Sequence, residues 1–395
     1  MSAAGETLPD LGDLAGWARL YTGWAAEACL PFFAAHGVDR DHGGFYQILD
    51  AAGAPDRQGP RHCYAQARQV YSFALGALRG WYPEGRGLAL DGLDHLLTRW
   101  RARDGRPGFI HSMAPDGTVI DDRRDAYDHA FVLLALAWAW RLQPDPAIRT
   151  AIDETLDFAD AVLADGAHGG WQEDDRRSQP RRQNPQMHAM EAMLALYEAT
   201  GDPAMLRRAE GFARLAVERL LPVGNGRMLE FFAADFGPLD DAARDCIEPG
   251  HHFEWTWLLG TLGRLGGSVP AGADLMPWAL AHGISNAGPA IDRLNPDGSI
   301  AIPGCRHWPQ SERVKAHLAE AEQGKAGAVE AACHAARMVW QHYVLPAPRG
   351  GYIDALNMDG RPTDRRIIPR TLYHVLCMVD ELDRVAGRPG KASGY

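Results

Sequence analysis

The chain has 395 residues, 46% of them hydrophobic and 23% charged, with a formal net charge of −11. That composition describes a globular protein with a large core. No run of Lys and Arg exceeds a pair, which excludes the basic footprint that nucleic acid or an anionic membrane requires and leaves a small molecule as the expected partner.

The opening segment, MSAAGETLPDLGDLAG, is acidic and has neither the basic start nor the apolar core of a signal peptide. No stretch of about eighteen apolar residues follows, so the expectation is a cytoplasmic protein. The six cysteines (Cys29, Cys63, Cys246, Cys305, Cys333 and Cys377) show no CxxC spacing and read as buried thiols rather than disulfides or zinc ligands.

Apolar residues recurring at i, i+3, i+4 and i+7 predict about twelve helices: 11–35, 60–83, 87–102, 124–142, 146–165, 184–200, 203–220, 250–265, 270–286, 308–323, 326–343 and 366–386. Every second helix opens on an unusual polar cluster: RHCYAQARQ at 61, DAYDHAF at 125, NPQMHAME at 184, PGHHFEW at 249, HWPQSER at 307 and TLYHVLC at 371. The markers Arg68, Asp128, His188, His251, Gln310 and His374 in these clusters stand 60, 60, 63, 59 and 64 residues apart. The loops GGFYQILDAAGAP at 43, GGWQEDD at 169 and GGYIDALNMDGRP at 350 resemble one another and each precedes such a cluster. A helix pair repeated six times, with one helix of each pair the more apolar, predicts an all-α (α/α)6 barrel, a single domain over 1–395 with apolar inner helices and amphipathic outer ones. The six inner N-termini then converge on one cavity.

Three chemistries are open to such a cavity. His188, His251, His374 and Glu254 could hold a metal, His251 and Glu254 at i, i+3 sharing a helix face, but HExxH is absent and Arg68 would repel a cation. Asp128, Glu191, Glu254 and Glu312 could supply the paired carboxylates of a glycoside hydrolase, which leaves three histidines without a use. Proton abstraction beside a sugar carbonyl suits histidine bases, with helix N-termini keeping the imidazoles neutral and Arg68 stabilising the enediolate. Tyr64, Trp255 and Trp308 offer flat faces to a sugar.

In this order and spacing, YAQARQVY (64–71), YDHAFVLLAL (127–136), NPQMHAMEA (184–192), PGHHFEWTWLL (249–259), WPQSE (308–312) and YH (373–374) resemble the N-acylglucosamine 2-epimerase superfamily along essentially the whole chain. The resemblance implies an (α/α)6 barrel and proton transfer with no metal or other cofactor. It makes His251 and His374 the acid/base pair, Arg68 the holder of the enediolate, and Glu254 the carboxylate that orients or tunes a catalytic imidazole. Tyr127, Asn184 and His188 match sugar-contacting positions, and Trp308 and Glu312 the wall of the fifth inner helix. Tyr64 departs from the Trp of several relatives. His252, about 100° round the helix from His251, is expected to turn outward. The implied activity is aldose–ketose isomerisation of the mannose/fructose type, with sugar 2-epimerisation as the alternative, on a small reducing sugar and by a monomer or homodimer. Arginine pairs ahead of inner helices (Arg123 and Arg124, Arg181 and Arg182, Arg365 and Arg366) keep a phosphorylated sugar in view.

Overall fold

The computed structural model describes residues 8–221, 226–239 and 245–387. In chain order its helices are α1 (Leu14–Trp24), α2 (Leu30–His36), α3 (Cys63–Leu78), α4 (Gly85–Arg99), α5 (Ala126–Leu142), α6 (Pro146–Phe158), α7 (Gln183–Thr200), α8 (Pro203–Leu215), α9 (Pro249–Arg264), α10 (Met276–His282), α11 (His307–Glu322), α12 (Ala328–Val339) and α13 (Leu372–Val385). A π turn at Ala25–Cys29 joins α1 to α2 as one continuous helix, which gives six pairs. Helices α3, α5, α7, α9, α11 and α13 pack each on the next, and α13 returns to α3. The outer layer closes where α1 meets α12. The molecule is an (α/α)6 barrel.

Burial follows this layering. Most residues of α5 and α7 are buried, on all sides of the helix, whereas α6, α8 and α12 bury one stripe. Helix α11 breaks the expected apolarity: HWPQSERVKAHLAEAE is polar, yet it is an inner helix and buries Glu312, Lys315, His317 and Glu320 by pairing them. Of the other expected segments, 270–286 shortens to the two turns of α10, and residues 61–62 and 367 are extended rather than helical.

Periodicity had pointed to few strands, and the extended pieces are indeed very short, but they form a collar. The residue or two before each inner helix pairs antiparallel with the loop that leads to the next inner helix. Arg61 faces Met113, Asp125 faces Asp174, Arg181 faces Phe232, Ile247 faces Leu294, Cys305 faces Leu356 and Ile367 faces Leu49. A ring of loops is thereby fixed around the inner N-termini.

Below the collar, an inner-helix side chain grips a loop backbone. Gln66 accepts from the Phe45 N–H and donates to its carbonyl; Gln186 does the same to Trp171, and Gln310 to Ala290. His129 and His252 accept from the N–H groups of Phe109 and Met228. These bonds account for the glycine doublets ahead of the clusters: at Gly44, with φ of +73°, a Cβ would lie 2.5 Å from Gln66 Oε1. His252 therefore turns away from the cavity as expected, but into the buried space against Trp278 rather than to solvent. Gln310, a marker of the sixty-residue period, belongs to this grip and not to the cavity.

Candidate active site

The outer helices α6 and α8 start on Asp145 and Asp202, whose carboxylates accept the first free N–H groups. Helices α3, α7, α9 and α11 start instead on His62, Arg182, Glu248 and Arg306, which make no such side-chain bond and line the mouth. Their N–H groups are served by the collar: Glu173 accepts from Arg182 N, Glu230 from Glu248 N and Asp292 from Arg306 N. Cap positions are thus released to face a ligand.

They surround a cavity of about 490 Å³. His251, His374, Arg68, Glu254, Tyr64, Tyr127, Asn184, His188 and Trp308 all border it. Glu312 does not; it is fully buried behind His374, where its Oε1 lies 2.7 Å from His374 Nδ1. Its place is that of a positioning residue rather than a sugar contact. Trp255 is also out of reach, buried with its indole N–H on Gln183 Oε1.

Two imidazoles flank the indole of Trp308, with His251 at 4.9 Å and His374 at 5.5 Å between ring centres. Their environments differ. Burial, with Arg68 and Lys315 nearby, pushes His374 well below the ordinary imidazole range. With Nδ1 on Glu312, the nitrogen left for a ligand is Nε2. Burial also opposes charge on His251, but Glu230 and then Glu248 outweigh it and hold His251 above 6.5. Glu230 Oε2 lies 2.9 Å from His251 Nδ1. The helix N-termini disfavour a proton on His251, whereas the two nearer carboxylates favour one, so the two imidazoles are biased in opposite directions.

The carboxylate beside His251 is Glu230, not Glu254. Glu254 lies nearest His188, 4.0 Å from its Nδ1, and that nitrogen is already on Glu191 at 2.8 Å. Burial takes His188 down to about 4 despite Glu191. Glu191 also accepts from the Tyr373 hydroxyl, so its two oxygens are both engaged.

Arg68 sits in an aromatic cage, its guanidinium 4.1 Å from the centre of the Phe131 ring and 4.9 Å from that of Tyr373. Nη2 donates to the Tyr127 hydroxyl at 2.7 Å, and among the described residues no carboxylate forms an ion pair with it. A buried cation held by π faces and a phenol is available to a developing oxyanion. Asn184 adds a buried carboxamide oxygen without a protein partner.

The four carboxylates suited to hydrolysis do not form a facing pair. Asp128 is bound to His111 and the Tyr64 N–H, Glu191 to His188 and Tyr373, and Glu312 to His374 and Lys315. Glu254 can approach His188 with Glu191, or His374 with Glu312, closely enough to share an ion. Within these sets His188 is already held by Glu191 and His374 by Glu312, and the Lys315 ammonium stands 2.7 Å from Glu312, which leaves Glu254 as the one carboxyl not yet engaged.

The sequence reading missed Glu230, Glu248 and most of the rim. Glu248 accepts from Arg293 at 2.5 Å and Arg306 at 2.9 Å, and Arg182 is bound to Glu173. A signal for Glu230 existed: it stands two residues past the loop residue that the inner helix grips. Gln47, His111, Glu173, Glu230, Asp292 and Asp354 occupy this place in the six loops, polar every time. Of the arginine pairs, Arg123 and Arg182 reach the cavity. Arg124 and Arg181 are buried on Asp104 and Asp165, and Arg365 and Arg366 are exposed.

The N-acylglucosamine 2-epimerase (GlcNAc 2-epimerase) family model matches residues 43–378, and the chain belongs to that family. It is 33% identical to a mannose-6-phosphate isomerase of Rhizobium meliloti (strain 1021) over 94% of this chain and 96% of that protein. A D-mannose isomerase of Thermobifida fusca is 30% identical over 72% of this chain and 74% of its own length. Among solved structures, that of a D-mannose isomerase superposes with a TM-score of 0.84 at 21% identity, covering 96% of this chain and all of the other. All six cysteines are free and buried, and among the described residues no helix is long and apolar enough to cross a membrane.

Proposed function

We propose that this protein is an aldose–ketose isomerase acting on a reducing sugar of the mannose/fructose type through an enediolate, by histidine acid/base chemistry. The observation that carries the reading is the pair of oppositely biased imidazoles on either side of Trp308. His374, kept neutral, takes the C2 proton of the opened aldose on Nε2 and returns it to C1. His251, on which Glu230 and Glu248 favour a proton, polarises the sugar oxygens from the other side. Arg68 accepts the charge that develops on the enediolate. The relatives' names support the substrate class, since both are named as isomerases of mannose or its 6-phosphate.

Rim chemistry bears on the phosphate. Arg293 and Arg306 share Glu248, Arg182 lies on Glu173, and Arg123 lies between Asp121 and Asp125. These cations are compensated, but Arg370 also borders the cavity and forms no ion pair among the described residues, so the rim has an arginine to offer a phosphate ester as well as a free sugar.

The test is incubation of metal-free protein with D-mannose, mannose 6-phosphate, D-glucose and N-acetylglucosamine in D2O, followed by proton NMR. Ketose from mannose without added metal is expected, and the rate on mannose 6-phosphate relative to mannose reads out whether the rim receives a phosphate. A C2-deuterated epimer and no ketose would make the enzyme a 2-epimerase, and a strict need for a divalent cation would overturn the histidine mechanism.

A further inference from the structure

Moving a proton from C2 to C1 completes only half of an aldose–ketose conversion. The O2 hydroxyl proton must also reach O1, which calls for an acid/base group beside those two oxygens. Glu254 borders the cavity with 0% exposure, and among the described residues neither of its oxygens has a hydrogen-bond partner. A buried carboxyl is seldom left so, and the deficit is made good by what enters the cavity.

The neighbours explain why Glu254 alone is unengaged. Glu191 is committed to His188 and Tyr373, and Glu312 to His374 and Lys315. Two cations, Lys315 and Arg68, stand among three buried carboxyls, Glu191, Glu254 and Glu312, so charge balance on the floor favours a proton on one of them, and Glu254 is the one to which no described side chain donates. A Glu254 oxygen comes within 4.8 Å of a His374 nitrogen. Glu254 is therefore a buried carboxyl of the same cavity wall as His374, within reach of the oxygens next to the carbon that His374 serves.

We propose that Glu254 is a catalytic carboxylic acid that carries the proton from O2 to O1 of the sugar. The proposal rests on the isomerase reading. After His374 removes the C2 proton, the enediolate bears its charge on O1. Glu254 O–H protonates O1, giving the neutral enediol and a Glu254 carboxylate. The carboxylate then takes the O2 proton, which places the charge on O2. As the C2–O2 double bond forms, the C1–C2 electron pair takes the proton from the His374 imidazolium at C1. The net result is one proton moved between carbons and one between oxygens, with Glu254 and His374 restored. Burial, with Glu312 and Glu191 close by, holds the Glu254 carboxyl well above the usual carboxylate range against Lys315 and Arg68, so the acid begins with a proton to give. Exchange of the C2 proton, and epimerisation, need no such transfer.

The experiment measures two rates in one sample, loss of the C2 proton of D-mannose in D2O and appearance of ketose, for wild type, Glu254→Gln and Glu254→Asp. Glu254→Gln keeps the size and a hydrogen-bond donor but cannot relay a proton. Its ketose formation is expected to fall by about 100-fold or more while C2 exchange falls by less than about 10-fold. Glu254→Asp, still an acid, is expected to keep the ratio of the two rates nearer to wild type. Because the ratio is internal to each sample, partial loss of folded protein does not move it. Equal loss of both rates, or an unchanged ratio in Glu254→Gln, overturns the proposal. Wild type that exchanges C2 but makes only the epimer overturns the isomerase reading itself, a distinct result.

Discussion

The floor of the cavity and its rim both carry many charges, and they differ in how those charges are held. On the floor, Glu254, Glu312 and Lys315 are wholly buried, and each protonation state is set by two or three neighbours. On the rim, Arg182, Arg293 and Arg306 keep about a third of their side chains in solvent and lie in pairs with Glu173 and Glu248. Desolvated charges shift each other strongly, whereas solvated pairs are screened. The floor is therefore suited to proton chemistry and the rim to admitting the substrate.

Substitutions should separate the two regions. His374→Asn is expected to remove C2 proton exchange, by about 10³-fold or more, with the far-UV circular dichroism unchanged. Full turnover in that variant would shift the base to another residue. Lys315→Met strands Glu312 without its cation, and loss of one member of a buried pair costs about 3–5 kcal/mol, measurable by chemical denaturation. A loss below about 1 kcal/mol would mean that the floor is no more coupled than the rim.

The pH profile follows from the two imidazoles. His374 acts neutral, so activity is lost on the acid side, well below 6.5, as it gains a proton. His251 acts protonated, so activity is lost on the alkaline side, above 6.5, as that proton leaves. Glu230→Gln removes the nearest charge that raises His251 and should move the alkaline limb down by about one pH unit. An alkaline limb that stays in place would assign that limb to another group. The smallest effect is expected on the rim: Arg293→Ala should change stability by about 0.2–1 kcal/mol and alter KM a few-fold with kcat retained. A large fall in kcat would erase the distinction between rim and floor.

Much of this was legible in the chain, and the failures are specific. The sixty-residue period located all six inner helices, because apolar periodicity and polar helix starts are local properties. Helix α11 fitted by period while contradicting the apolar rule, since its charges are neutralised by α13 and by one another. Gln310 and His252 shared the motifs of the site but serve the loop grip, because adjacent residues on a helix point about 100° apart. The motif puts Glu312 with Trp308 on the wall of the fifth inner helix, and only packing shows it behind His374.

The sequence by itself determined the helices, their sixfold order and the side chains that the inner helices bring to the cavity, since each depends on residues a few positions apart. Tertiary structure alone decided which histidine is charged, which carboxylate serves it and which carboxyl is left without a partner. His374 meets Glu312 across 62 residues, and Tyr373 meets Glu191 across 182. Protonation depends on burial and on charges within a few ångströms, and those neighbours come together only when the ring closes.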